Sequence, residues 1–508
     1  MPAATTAHQG FDLEQIRPVI VLTAGALFWA LSVGGRWDIA VAAWAAPVLI
    51  LRYTRIMLPM VGLAIAWILS IAAALWWIFQ VAVPVTPITL AAGLAFGTIQ
   101  WLPYLLDRKA GMRLGIVSRL LLFPASVVVA EWAMGTFSPL GTAYGLKAVT
   151  QYANLPLLQV IGITGPYGIG FLIAWFATTV NHVWEQDGTA KSDKNVVATF
   201  AAMLTLIVVG GALRLAWSTP PDDYVRVAGI VPSRAVLNTS NARLGYDLQG
   251  GTRPPVQAEL ARIDPARQSQ AFAIVHDELV ANTRQAARAG AKLVVWSENA
   301  AVTRKDDLPG LLARIATIAR EEGIYLNAAV NVPFVTDETH LFGPDGRELW
   351  VYRKARPIPG LEVYAPGDGK IPVVNTPFGR IANVICYDAD FPALLKGVDA
   401  DILLVPGGDW PEIGRVHTLR MASLRAIENG FALFRQDFNG LSAAFDHHGN
   451  VLATQDTTRS DRNTFFADVP TKGRATPYRL FGDVFAVLCL IAALGWTVKG
   501  AMAKLRKK

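Results

Sequence analysis

Long apolar stretches, each near the length that a helix needs to cross a bilayer, run through the first 217 residues and recur once near the C-terminus. About 20 residues of helix span roughly 30 Å of hydrocarbon. Lipid offers no partner to a free backbone N–H or C=O, so such stretches must close their hydrogen bonds internally as helices. Seven fall at 17–35, 38–54, 56–80, 86–106, 114–134, 160–184 and 196–217, and an eighth at 479–498. The first two are separated only by a tight GGRW turn. Composition agrees: 53% hydrophobic and 17% charged residues are wrong for a wholly soluble chain. The first stretch does not read as a cleaved leader. Arg17 is nearly its only basic flank, Asp12 and Glu14 precede it, and no small-residue cleavage pattern follows, so it is taken as a membrane helix.

Lysine and arginine in short loops set the expected orientation, because they are retained on the cytoplasmic side. With the N-terminus inside, the inner segments hold Arg17, Arg52, Arg55, Arg108, Lys109, Arg113, Lys191, Lys194, Lys499, Lys504, Arg506, Lys507 and Lys508, against Arg36 and Lys147 outside. Both termini are then cytoplasmic, and an odd number of spans puts residues 218–478 across the membrane, in the periplasm if the membrane is a bacterial inner membrane. The same basic loops account for the net charge of +7. No basic stripe interleaved with aromatics suggests nucleic acid as a partner.

Three parts are expected: a helical membrane domain over 1–217, an α/β domain over 224–470, and a transmembrane helix with a basic tail over 479–508. Within 224–470, the short runs VRVAGIV, KLVVW, IYLNAAV, RIANVIC, DILLVP and FALFRQ alternate with helical patterns, as in layered α/β domains. PDG at 344–346 and HHGN at 447–450 sit between strand-like runs, as hairpin turns do. RVHTLRMASLRAIENG places Leu419, Leu424 and Ile427 near helical spacing, with Gly430 positioned to end the helix. QDGTAKSDK is the one polar low-complexity loop.

Three residues of this region sit where chemistry is often placed. KLVVWSENA delivers Glu298 at the C-terminal end of a strand-like run. RELWVYR hands over at Lys354 to a long loop with Pro357, Pro359, Gly360 and Pro366, and Glu362 lies eight residues further on. NVICYDADFP sets Cys386 at a strand-to-helix turn, where following N–H groups can hold an oxyanion and stabilise a thiolate. Singly, each has an ordinary reading: a solvated carboxylate, a surface lysine, a small apolar filler. The only other cysteine, Cys489, lies in the apolar run FAVLCLIAALGW as a lipid-facing or packed residue. Two distant cysteines make neither a disulfide framework nor a metal site, so no metal or cofactor is expected.

Glu298, Lys354 and Cys386, in that order and in those contexts, resemble the nitrilase superfamily. The resemblance implies an αββα sandwich and assigns a general base to Glu298, stabilisation of the tetrahedral intermediate to Lys354, and the nucleophile to Cys386. With seven spans before and one after, the whole arrangement resembles the apolipoprotein N-acyltransferase family. PLLQVIGITGPYGIGFLIAWF at 156–176, RMASLRAIENG and FNGLSAAFDHHGNVL resemble its segments, and Glu362 matches an acidic position. The chain departs from that pattern at WSEN around Glu298, at GIVPS at 229–233, at Asp388 after Cys386 and Tyr387 where a Glu is usual, and at FNG. Tyr387, Asp388 and Glu362 are implied as supporting or substrate-binding residues. The implied reaction moves an acyl chain from a membrane phospholipid, through a Cys386 thioester, to the N-terminal amine of a diacylglyceryl-modified lipoprotein.

Two other readings stand beside this one. A membrane-anchored acyltransferase or amidase acting on a different lipid or amine would share the thioester. A non-catalytic scaffold or transporter would be flagged by ionisable residues in or near the spans: Arg119, Glu131, His182 and Arg214. Of these Glu131, short and acidic, most needs a partner.

Overall fold

The computed structural model describes residues 13–186, 191–218, 221, 223–245, 257–460 and 462–505. Part of the QDGTAKSDK loop and the basic residues Arg506, Lys507 and Lys508 lie outside them.

Thirteen strands form two sheets: β1 Tyr224–Ile230, β2 Leu293–Trp296, β3 Ala301–Val302, β4 Tyr325–Val332, β5 Thr336–Phe342, β6 Glu348–Arg353, β7 Val373–Thr376, β8 Gly379–Asn383, β9 Ile402–Gly408, β10 Ala432–Phe438, β11 Leu441–Phe445, β12 Val451–Asp456 and β13 Thr464–Pro470. The first sheet has the order β13-β1-β2-β4-β5-β6 with β3 beside β4, and the second β12-β11-β10-β9-β8-β7. Each has a parallel centre, β1-β2-β4 in one and β8-β9-β10 in the other. Parallel strands covered on both faces read as continuous apolar runs, which is why VRVAGIV, KLVVW and DILLVP show little alternation.

Val227, Val295, Leu341, Ile381, Leu404 and Phe434 fill the space between the sheets. On the first sheet's outer face, Leu279 of helix Pro265–Arg288 and Ile315 of helix Leu308–Glu322 pack on Ile230, Val294 and Leu326. Asp264 caps the former by accepting from the Arg267 N–H, with Pro265 in the first turn. Leu395, Ala422 and Ala426 cover Leu403, Val405 and Leu433 on the second sheet. The layers are therefore αββα, as the resemblance implied. The PDG and HHGN segments connect β5 to β6 and β11 to β12. RVHTLRMASLRAIENG is helical but not uniformly so: a π-helical turn at His417–Ala422 precedes helix Ser423–Asn429, which Gly430 ends at φ +74°.

All eight apolar stretches become helices, but the expected count of eight spans is not reproduced by length and composition. Among the described residues five helices are long and apolar enough to cross a membrane, Pro59–Gln80, Pro87–Arg113, Ile116–Phe137, Lys194–Ala216 and Val484–Ala503, or six if one bent pair counts as a span. Over the first stretch Arg17–Ala30 forms a shorter apolar helix, and the second helix has 17 residues. The sixth stretch is broken: Leu155–Thr164 and Tyr167–Glu185 meet at 113°. Pro166 cannot continue a helix from Thr164, and Gly165 turns the chain at φ +66°, where a Cβ would lie 2.4 Å from the Tyr478 ring.

This break lays the segment 155–164 against the sandwich. Ile161 joins Leu424 and Ile427 in one buried cluster with Leu122 and Val128 of the bundle, and Gln159 Nε2 donates to the His448 carbonyl at 3.0 Å. Cys489 belongs to the same cluster, so it is packed rather than lipid-facing. Glu131 has a partner: its Oε1 accepts from the Lys147 backbone N–H at 3.1 Å. Arg119 pairs with Glu185, and Arg214 Nη1 donates to the Gln159 carbonyl at 3.3 Å.

Candidate active site

Glu298 lies two residues past β2, Lys354 directly follows β6, and Cys386 lies three residues past β8, so strand ends from both sheets deliver the three side chains to one place. All three are about 1% exposed. RIANVIC was read as one strand, but its ladder ends at Asn383, and Cys386 opens a tight 3-10 turn, Cys386–Asp390. The cysteine takes φ +46°, a conformation uncommon outside glycine and found where a turn is held in strain at a functional position.

Lys354 is enclosed by carboxylates. Its Nζ donates to Glu298 Oε1 at 2.5 Å and to Glu362 Oε1 at 2.6 Å, and lies 4.0 Å from Asp337 Oδ2. Burial works against its charge, but Glu298 and Glu362 hold its pKa well above the usual lysine value. Asp337, which sequence reasoning missed, is buried beside Glu298. Burial and the Glu298 charge push its pKa well up. The Lys354 backbone N–H donates to the Asp337 carbonyl at 3.0 Å, which locks β6 to β5 at this point.

Cys386 is a resting thiol. Burial and the Glu298 charge push its pKa well up, opposed by Lys354 and Arg435. Its Sγ lies 3.9 Å from the Gly408 carbonyl oxygen and 3.8 Å from Arg435 Nη2. Two glycines at the end of β9 make this approach possible. A Cβ on Gly407 would lie 2.8 Å from Arg435 Nη2, and one on Gly408 would lie 3.0 Å from Glu298 Oε2. Successive strand residues face opposite ways, so one glycine admits the guanidinium and the next admits the carboxylate.

Asp388, a point of departure from the family pattern, ties the cysteine turn to the lysine loop. Its Oδ2 accepts from Tyr352 Oη at 2.8 Å, the Ile385 N–H at 3.1 Å and the Ala355 N–H at 3.3 Å, and its Oδ1 accepts from the Arg356 N–H at 2.7 Å. Burial outweighs these donors and pushes its pKa up to about 6. Glu362 is pinned similarly, accepting from the Ile358 N–H at 2.7 Å through its second oxygen. The turn also meets the helical bundle. Thr142 donates to the Asp390 carbonyl from both N and Oγ1 at 2.8 Å, and Tyr387 Oη donates to the Pro139 carbonyl at 3.5 Å.

Behind the sulfur lies a second buried network, also missed from sequence. Arg435 Nη2 donates to Asp409 Oδ2 at 2.9 Å and lies 2.8 Å from Asp437 Oδ2. His417 sits between Asp409, 2.9 Å from its Nδ1, and Asp390, 3.1 Å from its Nε2. Burial opposes the imidazolium, but the two carboxylates raise its pKa to about 10. A signal was present: FALFRQDF puts an Arg and an Asp two apart, on one face of a strand that opens on an apolar run. Among the described residues, Cys386, Asp409 and His417, and separately Glu298, Asp337 and Glu362, are grouped closely enough to hold a metal ion. Each group already surrounds a protein cation, Arg435 in one and Lys354 in the other, which a metal would have to displace.

Comparison with known proteins bears on both halves. Residues 21–179 match the family model for the apolipoprotein N-acyltransferase N-terminal domain, and residues 258–478 match that for carbon-nitrogen hydrolase. The chain is 27% identical over 426 residues to an apolipoprotein N-acyltransferase of Geobacter metallireducens, covering 77% of this chain and 75% of that one. It is 26% identical over 425 residues to another of Caulobacter vibrioides, covering 74% and 72%. Among solved structures, an amidase from Nesterenkonia sp. is similar at 19% identity, covering 49% of this chain and 92% of that one with a TM-score of 0.38. An N-terminal domain of the apolipoprotein N-acyltransferase type is thus joined to a carbon-nitrogen hydrolase domain, and the chain is similar to apolipoprotein N-acyltransferases across both.

Proposed function

We propose that this protein transfers an acyl chain from a membrane phospholipid to the N-terminal α-amine of a diacylglyceryl-cysteine on a lipoprotein. The observation that carries the reading is the burial of Glu298, Lys354 and Cys386 in one site whose nucleophile turn is hydrogen-bonded to an apolar helical bundle. A hydrolase of small soluble amides has no use for that attachment, whereas an enzyme with two lipid substrates does.

In the first half-reaction the Cys386 Sγ attacks the ester carbonyl, Glu298 takes the thiol proton, and Lys354 stabilises the developing oxyanion. Collapse breaks the ester C–O bond, the proton passes to the leaving alkoxide, and a lysophospholipid departs, leaving a thioester. In the second, the acceptor amine loses its proton to Glu298 and attacks the thioester, the C–S bond breaks, and Cys386 regains its thiol as the amide forms. Glu362 and Asp388 keep Lys354 and the nucleophile turn in place, and Tyr387 anchors that turn to the bundle. The proposed topology is eight membrane crossings, counting the two short N-terminal helices and the bent pair, with residues 224–470 periplasmic as the catalytic domain and both termini cytoplasmic.

Incubating the full chain with phospholipid should give an acyl adduct on Cys386 by mass spectrometry. A diacylglyceryl-cysteine peptide should then discharge it as N-acylated product. Free fatty acid released without any amine present would replace transfer by hydrolysis, and absence of an adduct would overturn every covalent reading.

A further inference from the structure

The charges around Lys354 leave a problem unsolved. Two carboxylates, Glu298 and Glu362, sit within 2.6 Å of its single ammonium, and Asp337 stands 4.0 Å away. The ammonium is thus already engaged on two sides. A thiolate forming beside it gains little net attraction from a lysine already bound on two sides.

The other flank of the sulfur is built differently. Arg435 is wholly buried, its Nη2 approaches Sγ to 3.8 Å, and its Nη1 is buried without a hydrogen-bond partner. Nε and Nη2 are held by Asp437 and Asp409, and Asp409 is shared with His417, which Asp390 holds from the far side. Two cations therefore face three carboxylates, and burial and Asp409 push the Asp437 pKa well up. The Nη2 that donates to Asp409 is also the guanidinium nitrogen nearest the sulfur, so its second N–H is free to point there. Gly407 is the space that lets it reach.

We propose that Arg435 is a further catalytic residue, its guanidinium being the cation that stabilises the Cys386 thiolate, with His417 as a positioning residue that holds Asp409 and through it Arg435. This rests on the reading of Cys386 as the nucleophile. An arginine suits the task because it stays charged when buried and its planar fork can be fixed by two carboxylates while a further N–H remains free. In each turnover the cation is needed twice: when Sγ–H gives its proton to Glu298, and when the thioester C–S bond breaks and the electron pair returns to sulfur.

The test is the pH profile of Cys386 alkylation by iodoacetamide in the full-length protein in detergent, which reads thiolate formation without needing either lipid substrate. Three proteins are compared: wild type, Arg435→Lys, and the double variant Arg435→Met with Asp409→Asn, which removes one charge of each sign and so preserves the balance of the buried network. An opposite charge at this range commonly moves a pKa by about 1 to 3 units, so the double variant should show its alkylation profile displaced upward by at least about 1 unit. Its rate at neutral pH should fall about tenfold or more, and Arg435→Lys should fall between. Profiles coincident with wild type in either folded variant would overturn the proposal. A displaced profile in a protein whose Cys386 never takes an acyl group from phospholipid would keep Arg435 as the thiolate's cation and remove the acyl-transfer reading instead.

Discussion

On one flank of Cys386, Lys354 faces Glu298, Glu362 and Asp337, all from the first sheet and the loop that leaves it. On the other, Arg435 and His417 face Asp390, Asp409 and Asp437, from the second sheet and its covering helical layer. Both flanks bury cations among carboxylates, which is costly unless every charge is paired. They differ in what is left over. The ammonium is held by two carboxylates and its protons are directed at them, whereas the guanidinium nitrogen that donates to Asp409 also lies 3.8 Å from the sulfur. The difference separates two duties that a single cation cannot easily perform together. In the proposed mechanism the lysine cluster manages proton transfer and the oxyanion, and the arginine network holds the potential at sulfur.

The largest effect belongs to the residue between the flanks. Cys386→Ala should abolish the acyl adduct and lower transfer on the order of 10⁴-fold or more, read as product formed from phospholipid and a lipopeptide acceptor. Removing the lysine comes next. Lys354→Ala should cost on the order of 100- to 1000-fold in transfer, and because it strands buried carboxylates it should also lower stability by about 3–5 kcal/mol. Near-normal turnover by this variant would erase the division of labour.

The arginine flank predicts a pH effect. The folded pKa of His417 is raised from 6.5 to about 10, so its contribution to stability is complete below about 6.5 and is lost as pH rises through about 10. Thermal melts of wild type should fall across that window by a few kcal/mol equivalent, and His417→Gln should be flatter there. Equal slopes would mean that the imidazole is neutral in the fold and that the network carries one cation only. The smallest effect is expected for Asp337→Asn. Burial and Glu298 keep Asp337 protonated, so the amide is a near match, and transfer should change by less than about tenfold. A loss as large as that of the lysine variant would show that Asp337 is ionised in the folded protein.

Much of the site was legible because Glu298, Lys354 and Cys386 each follow an apolar run by at most three residues, and a strand end is visible in sequence. What the sequence hid depends on which strands are neighbours. Asp337 meets Lys354 because β5 pairs with β6, and Arg435 meets Cys386 because β9 lies between β8 and β10 with glycines at its end. Neither pairing leaves a local mark. Asp388 shows the same limit from the other side. It was singled out as a departure, but its four donors come from Tyr352, Ala355, Arg356 and Ile385, three of them more than 30 positions away. In the bundle the miss was avoidable. Gly165 and Pro166 stand inside the stretch read as one span, and such a pair commonly breaks a helix.

The contacts of Thr142 and Pro139 with the cysteine turn bear on how this protein could be engineered. A carbonyl of that turn takes two hydrogen bonds from a loop between membrane helices, so residues 224–470 expressed alone would lose part of the scaffold that shapes the Cys386 turn. A soluble fragment should keep its sheets, because their cores are internal, yet hold Cys386 loosely. Screening for inhibitors on such a fragment would select compounds for a geometry that the intact chain does not adopt.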